Sequence, residues 1–283
     1  MKSGFVSLVG RPNVGKSTLL NRILGSKVSI VSDKVQTTRH QVRGVLNRAD
    51  AQVVFVDTPG IHKPRTLLGE RTNSAALSAI ADVDLVCLLL DARQPLGRGD
   101  RFVAAQVPLD SFVIVNKIDI ASEAEVLRQL QRAGTLDRAA YFPISATSGA
   151  GVDVLVGAII DRLPEGPAYF PIDVVRDAPE AFWVAELVRE QLLSRTAEEL
   201  PHSITCRVVE WEEREKSGPF IRCEIVVERD SQKPIVIGRG GAVLKEVGIA
   251  VRQQLPRGTY LELFVKVDKE WQRRSRSLDR LGF

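Results

Sequence analysis

Long apolar runs are missing from this chain. None approaches the ~20 residues that a bilayer-spanning helix needs, and the longest, Leu85 to Leu90, is strand-sized and stops at Asp91. No leader is expected either: Met1-Lys2-Ser3-Gly4 runs straight into an apolar stretch with neither an h-region nor a cleavage site, which leads us to expect a cytoplasmic chain. Cysteine is scarce. Cys87, Cys206 and Cys223 form no C-x-x-C pair, so they read as buried thiols and exclude a disulfide framework or a cysteine zinc site. Internal repeats and low-complexity tracts are lacking, which excludes solenoids and tails. A strong charge bias is lacking as well. The net charge is +4, with 20 basic against 16 acidic residues in 1–165 and 19 against 19 in 166–283. Bulk electrostatics therefore gives no general nucleic-acid footprint to the second half, and any such footprint there must be local.

What is present is an ordinary 44% of hydrophobic residues over 283 positions, enough for two cores. Phe5–Val9, Val53–Val56, Leu85–Leu90, Phe112–Val115 and Tyr141–Ile144 are short apolar runs of the kind buried on both faces of a parallel sheet. Helical stretches alternate with them: Lys16–Leu24, Leu67–Ile80, Phe102–Val107, Glu123–Gln131 and Val152–Leu163. Val42–Asn47 alternates and lies just before Val53, predicting a hairpin that makes one edge antiparallel. The pattern predicts a doubly wound α/β domain over 1–165. Three prolines and a glycine between Leu163 and Pro171 read as a stiff linker over 166–178. From 179 to 283 the rhythm becomes α-β-β-α-α-β: a helix from Phe182 to Leu200, strands at Ser203–Glu210 and Phe220–Glu228, a glycine turn and helix through Leu255, and a strand at Tyr260–Val267. A basic helix, Trp271–Leu278, closes the chain. This is an α+β layout with helices on one face of a three-stranded sheet.

The chemistry-bearing residues sit at the strand ends. Gly10-Arg11-Pro12-Asn13-Val14-Gly15-Lys16-Ser17 fits G-x-x-x-x-G-K-[ST] between an apolar strand and a helix, with Thr18 next in line. Such a loop wraps a phosphate in backbone N–H groups at a helix N-terminus. Lys16 reaches β- and γ-phosphate oxygens, and the Ser17 hydroxyl ligates Mg²⁺. Asp57-Thr58-Pro59-Gly60 follows the Val53–Val56 strand, so Asp57 faces the same crevice as a Mg²⁺ partner through water, and the Gly60 N–H is aimed at the γ-phosphate. In Gln36-Thr37-Thr38-Arg39-His40 the threonines are candidates to complete the metal shell, Thr38 above all. Lys16, Thr38, Gly60 and Asn13 make the candidate catalytic set.

Asn116-Lys117-Ile118-Asp119 follows the Phe112–Val115 strand. A carboxylate such as Asp119 accepts from N1–H and N2–H₂ of guanine together, a pairing that adenine cannot reproduce. Asn116 is placed to tie this loop to the phosphate loop, the Lys117 stem to lie along the base, and Ser145-Ala146-Thr147 to bring the Ala146 N–H near O6. A metabolic kinase has no reason to carry this set. In the second half, Ile237-Gly238-Arg239-Gly240-Gly241 contains G-x-x-G before a helix carrying Lys245. Alone it is usually just a turn; with the α-β-β-α-α-β order it resembles the KH fold in its type 2 topology, whose loop clamps about four nucleotides of single-stranded RNA. The stretch Lys266–Arg280, with six basic and three acidic residues, is either a phosphate-contacting edge or a solvated helix face.

Residues 4–165 resemble a translation-factor-class GTPase domain, and G-R-P-N-V-G-K-S with Q-T-T-R-H, D-T-P-G-I and N-K-I-D is similar to the Era family. A GTPase joined to a KH domain is that family's arrangement. The resemblance implies GTP hydrolysis with Mg²⁺, Thr37 and Thr38 in switch I, and switch II from Asp57 onward. It implies an apolar Ile61 where many GTPases carry a water-orienting glutamine, hence slow intrinsic turnover. Asn13 either helps hold K⁺ beside the transferring phosphoryl group or merely caps the loop. The implied partner is the single-stranded 3′ end of 16S ribosomal RNA during small (30S) subunit assembly, with peripheral contact at the inner membrane and no DNA. The rival reading is an RNA-binding protein whose guanine-nucleotide site only stabilises the fold.

Overall fold

The computed structural model describes residues 1–34, 36–196, 200–215 and 217–283. They form two compact units, the first running essentially from Met1 to Asp177 and the second chiefly Ala178–Phe283.

In the first unit, β1 (Lys2–Gly10), α1 (Lys16–Leu24), β2 (Val42–Asn47), β3 (Ala51–Asp57), α2 (Leu67–Ala81), β4 (Leu85–Asp91), α3 (Arg98–Ala104), β5 (Phe112–Asn116), α4 (Glu123–Gly134), β6 (Ala140–Pro143), α5 (Val152–Arg162) and β7 (Arg176–Asp177) follow one another. The sheet order is β6-β5-β4-β1-β3-β2-β7, parallel except where β2 pairs antiparallel with β3 and with β7. All seven residues of β3 and of β4 are buried, as expected of strands covered on both faces. One core layer joins Leu8, Leu19, Phe55, Ile114 and Leu155; the other joins Val9, Leu88, Val103, Val113 and Ile61. Local chemistry sets the helix starts. Ser122 and Glu125 make a reciprocal capping box at α4, and the Asp100 carboxylate accepts from the Gly97 N–H at 2.9 Å. That bond starts α3 at Arg98, ahead of the Phe102 that apolar periodicity suggests.

The proline-rich stretch read as a linker over 166–178 lies along this first sheet. The buried Gln52 amide uses every part of itself on it and its neighbour. Nε2 donates to Asn47 Oδ1 at 2.7 Å and to the Phe170 carbonyl at 2.8 Å, while Oε1 accepts from the Tyr169 and Phe170 N–H groups at 2.6 and 3.0 Å. Tyr169 packs edge-on against Phe5, and Arg176–Asp177 then adds β7 outside β2, so the antiparallel β2 is not the edge.

The second unit contains α6 (Glu180–Arg195), α7 (Leu200–Ser203), β8 (Thr205–Arg214), β9 (Ser217–Val227), α8 (Gln232–Ile237), α9 (Ala242–Arg252), β10 (Tyr260–Val267) and α10 (Ser275–Leu281). Its sheet order is β10-β9-β8, with β8 antiparallel and β10 parallel to β9. The helical rhythm read from Phe182 to Leu200 is realised as α6; residues 197–199 of that stretch lie outside the described residues. The apolar run before the glycine turn folds as α8. The closing basic helix is split, because Trp271 turns inward, fully buried, with its indole N–H on the Ser203 carbonyl at 3.0 Å.

Gln52→Leu removes the partner of three backbone groups at once and is expected to destabilise the protein by about 1–3 kcal/mol. A lower urea midpoint with new protease cleavage between residues 166 and 175 is the expected outcome; an unchanged midpoint and cleavage pattern contradicts this account of the segment.

Candidate functional site

Strand register gathers the site. Leu8 lies beside Asp57, Gly10 beside Leu89, and Asp91 beside Asn116, so the carboxyl ends of β1, β3, β4 and β5 open onto one crevice. Gly15 caps α1 in the left-handed region at φ +99°, and a Cβ there would stand 2.3 Å from Asn116 Nδ2. Only glycine lets the phosphate loop and the Asn116 side chain approach this closely.

At the phosphate end, Ser17 Oγ donates to Asp57 Oδ2 at 2.6 Å and lies 3.0 Å from Thr38 Oγ1, which is itself 3.5 Å from Asp57 Oδ2. Ser29, which sequence reasoning passed over, adds a hydroxyl on the same oxygen at 2.8 Å. All these donors crowd onto Oδ2, whereas Oδ1 is buried with no hydrogen-bond partner among the described residues. Burial pushes the Asp57 carboxyl upward from its ordinary value, opposed by the Lys16 charge and the three hydroxyls. Lys16 is also buried. Desolvation lowers its ammonium to about 8 despite the attraction of Asp57, and its Nζ holds the Arg11 and Gly10 carbonyls at 3.1 and 3.4 Å. A hard divalent cation fits this chemistry: two hydroxyl oxygens and a carboxylate with an idle oxygen, arranged around a lysine that favours phosphate. The residues that can hold Mg²⁺ are thus Ser17, Thr38 and Asp57.

At the other end the loops are laced together. Asn116 Nδ2 donates to the Val14 carbonyl at 2.9 Å, and its Oδ1 accepts from the Ala146 N–H at 2.9 Å. That amide, expected near guanine O6, is therefore engaged by protein and reaches a ligand only by sharing or exchanging its hydrogen bond. Lys117, in the left-handed region at φ +71°, bridges the Asn13 carbonyl and the buried Asp91 carboxylate, each at 2.7 Å. Asn13 takes the same region at φ +63°, which asparagine tolerates better than most side chains. Asp119 is exposed and makes no ion pair among the described residues. Ser145 is buried and its hydroxyl accepts from the Ser148 N–H at 2.9 Å, closing the loop. Thr18, Asn21, Arg22, Lys27, Ala146 and Thr147 line an adjoining cavity of about 450 Å³, and Arg22 holds the Ala146 and Thr147 carbonyls.

The second loop of the crevice carries a residue that motif reading missed. Ile61 is 2% exposed and packs into the sheet core, so it offers nothing to a water molecule. Its neighbour His62 instead braces the loop through both ring nitrogens. The Gly60 carbonyl can only accept, so His62 Nδ1 carries the proton for the 2.9 Å bond to it. Nε2 is then the acceptor facing the Gln36 amide nitrogen at 2.7 Å. The Ile61 N–H donates to the Gly10 carbonyl at 3.2 Å. Both sides of the Gly60–Ile61 peptide are thus held, and the Gln36 loop is tied to the Gly60 loop. The only sequence signal was a ring with two nitrogens beside an apolar residue.

In the second unit, α8 ends at Gly238, and Gly240 adopts φ +59° with nothing within 4 Å of where a Cβ would be. The turn is open for a ligand backbone to approach. Ile237 and Gly241 flank it half-buried, while Arg239 and Lys245 are exposed. Ile249, 42% exposed and one helical turn beyond Lys245 on α9, gives an apolar contact beside that charge that sequence reading missed.

Comparison with known proteins follows the same division. Residues 5–117 match the family model of a 50S ribosome-binding GTPase, and residues 199–272 match a KH domain. A crystal structure of a single-residue variant of Aquifex aeolicus Era bound to GDP·AlF₄⁻ superposes with a TM-score of 0.95 at 40% identity, covering 100% of this chain and 99% of that one. A structure of Era in complex with MgGDPNP and nucleotides 1506–1542 of 16S ribosomal RNA matches with the same TM-score, identity and coverage.

Two expectations follow. Asp119→Asn should move preference from guanine to xanthine nucleotides, read by competition for a fluorescent nucleotide; retained guanine preference refutes the base assignment. His62→Phe should slow hydrolysis about tenfold, with KM little changed and partial rescue by His62→Asn. An unchanged kcat removes the positioning role.

Proposed function

The chain belongs to the Era family of GTPases, and from that membership we propose that it is a GTP-driven switch on the 3′ end of 16S ribosomal RNA in small-subunit assembly. It binds guanine nucleotide with Mg²⁺ and hydrolyses GTP to GDP and phosphate. In our reading, residues 10–18 wrap the phosphates, and Lys16 exchanges the Gly10 and Arg11 carbonyls for the β- and γ-phosphate oxygens. Ser17 and Thr38 hold Mg²⁺ directly and Asp57 through water, and the ion when bound neutralises charge on the phosphoryl group. Asn116, Lys117, Asp119, Ser145 and Ala146 form the base end. Because Ile61 is committed to the core, the attacking water is oriented by backbone groups of the Thr38 and Gly60 segments, which His62 steadies. With no side-chain glutamine for that task, intrinsic turnover is slow and open to acceleration by a cation from a partner. Asn13 is the place at which K⁺ would act.

RNA is held by the open turn Gly238–Gly241, with Ile237 behind it and Arg239 and Lys245 facing the phosphates. Contact with the small subunit follows from this RNA belonging to it. Peripheral contact with the inner membrane rests on family resemblance alone; no described helix is long and apolar enough to cross a bilayer. The observation that carries the reading is the pairing, in one chain, of the Ser17–Thr38–Asp57 cluster with an unobstructed glycine turn on an RNA-binding fold.

The test is RNA affinity in the presence of GDP and of a non-hydrolysable GTP analogue. We expect a difference of about tenfold, a coupling of about 1.4 kcal/mol, that disappears in Lys16→Ala. Equal affinities with both nucleotides in the wild-type chain would leave an RNA-binding protein with a merely structural nucleotide site.

A further inference from the structure

Lys266, Val267, Asp268, Arg274, Arg276, Ser277 and Arg280 line a cavity of about 440 Å³ where β10 ends. Four of the seven are cations. The one carboxylate, Asp268, is buried at the base and holds two of them: Arg274 on Oδ1 and Arg280 on Oδ2, the latter at 2.6 Å. Beside it, Glu224, 2% exposed, accepts from Arg207 at 2.6 Å and pairs with Lys266 at 3.3 Å. Arg276 and the four cations of these ion pairs, set against the two buried anions, sum to +3. The side chains of Arg274, Lys266, Arg280 and Arg207 are 53%, 48%, 34% and 31% exposed. Arg276 is exposed and makes no ion pair among the described residues. A guanidinium has five N–H donors, so an arginine anchored through one nitrogen keeps most of its fork for another anion, with its rotamer already fixed.

We propose that this cavity is a second phosphate-binding surface, taking the backbone of RNA that extends beyond the glycine turn. The inference rests on the RNA reading above and adds a site to it. The Asp268 N–H bonds to the Val227 carbonyl at 2.9 Å and Lys269 pairs with Asp230 at 3.5 Å. The cavity therefore sits at the sheet end from which α8 leads to Gly238. A G-x-x-G clamp covers about four nucleotides, so a longer strand needs further phosphate partners, and fixed cations around a concavity supply them without sequence demands. The alternative polyanion, an anionic membrane, is less well matched. Leu278 and Leu281 point inward, and no large apolar residue after Tyr260 is among the exposed ones, so the surface has nothing to insert between lipids.

The experiment uses full-length protein with two RNAs, a short oligonucleotide confined to the turn and one spanning nucleotides 1506–1542. Lys266→Gln/Arg276→Gln leaves both Asp268 pairs and the Arg207–Glu224 pair intact, so each buried carboxylate keeps a cation; Arg274→Gln/Arg280→Gln tests the site more severely. Expected is a loss of about fivefold or more for the long RNA only, with the slope of log K against log salt shallower by about 0.7 per lost contact. Equal losses on both RNAs, or no loss, overturn the proposal. Vesicles of phosphatidylglycerol and phosphatidylcholine form the third arm. Wild-type vesicle binding that the substitutions abolish, with long-RNA affinity unchanged, would assign the surface to membrane instead. Gly240→Asp separates the two sites: it should weaken both RNAs, and if it weakens neither, it is the glycine-turn reading that fails.

Discussion

One carboxylate oxygen organises the first unit. Asp57 lies at the bottom of the crevice with Oδ2 crowded by hydroxyls and Oδ1 matched by no group among the described residues. A buried, half-satisfied carboxylate is costly, and folding keeps it only because strand register and the surrounding loops leave no freedom to move it. The same dry environment lowers the Lys16 ammonium. Two groups that each resist ionisation in isolation are held together where a metal–phosphate pair would satisfy both.

The two ends of the crevice are built differently. At the base end, Asn116 and Lys117 bind the phosphate loop, the Ala146 loop and Asp91 into one rigid piece. Recognition of a fixed heterocycle benefits from such preorganisation. At the phosphate end the Gln36 and Gly60 loops are tied by a side-chain pair, Gln36 to His62, and by the hydroxyl cluster around Asp57. Loops joined through such side-chain contacts can rearrange when the γ-phosphate leaves.

Much of this was legible in the sequence because the residues concerned carry local rules. Doubly buried strands announce themselves as apolar runs, and the phosphate loop, Asp57 and Asn116-Lys117-Ile118-Asp119 each follow one of them. The glycine turn was legible for the same reason. What escaped depends on contacts distant in sequence. A proline-rich run reads as a spacer, yet Gln52, some 120 residues earlier, supplies the amide that fastens it to the sheet. Ile61 shows by its type that it cannot orient water, but its burial in the core, and the bonds of His62 to Gly60 and Gln36, need three dimensions. The split of the last helix follows from Trp271 seeking the Ser203 carbonyl. The charge of the C-terminal stretch was countable, whereas its arrangement over Asp268 and Glu224 was not.

In the reading proposed here, Asp57, Ser17 and Thr38 complete their coordination through a divalent cation held with the nucleotide. The affinity of the purified chain for a non-hydrolysable GTP analogue, measured in Mg²⁺ and again in excess EDTA, tests it directly. The account requires binding to weaken markedly on chelation and to return when Mg²⁺ is restored. An affinity indifferent to chelation would contradict it.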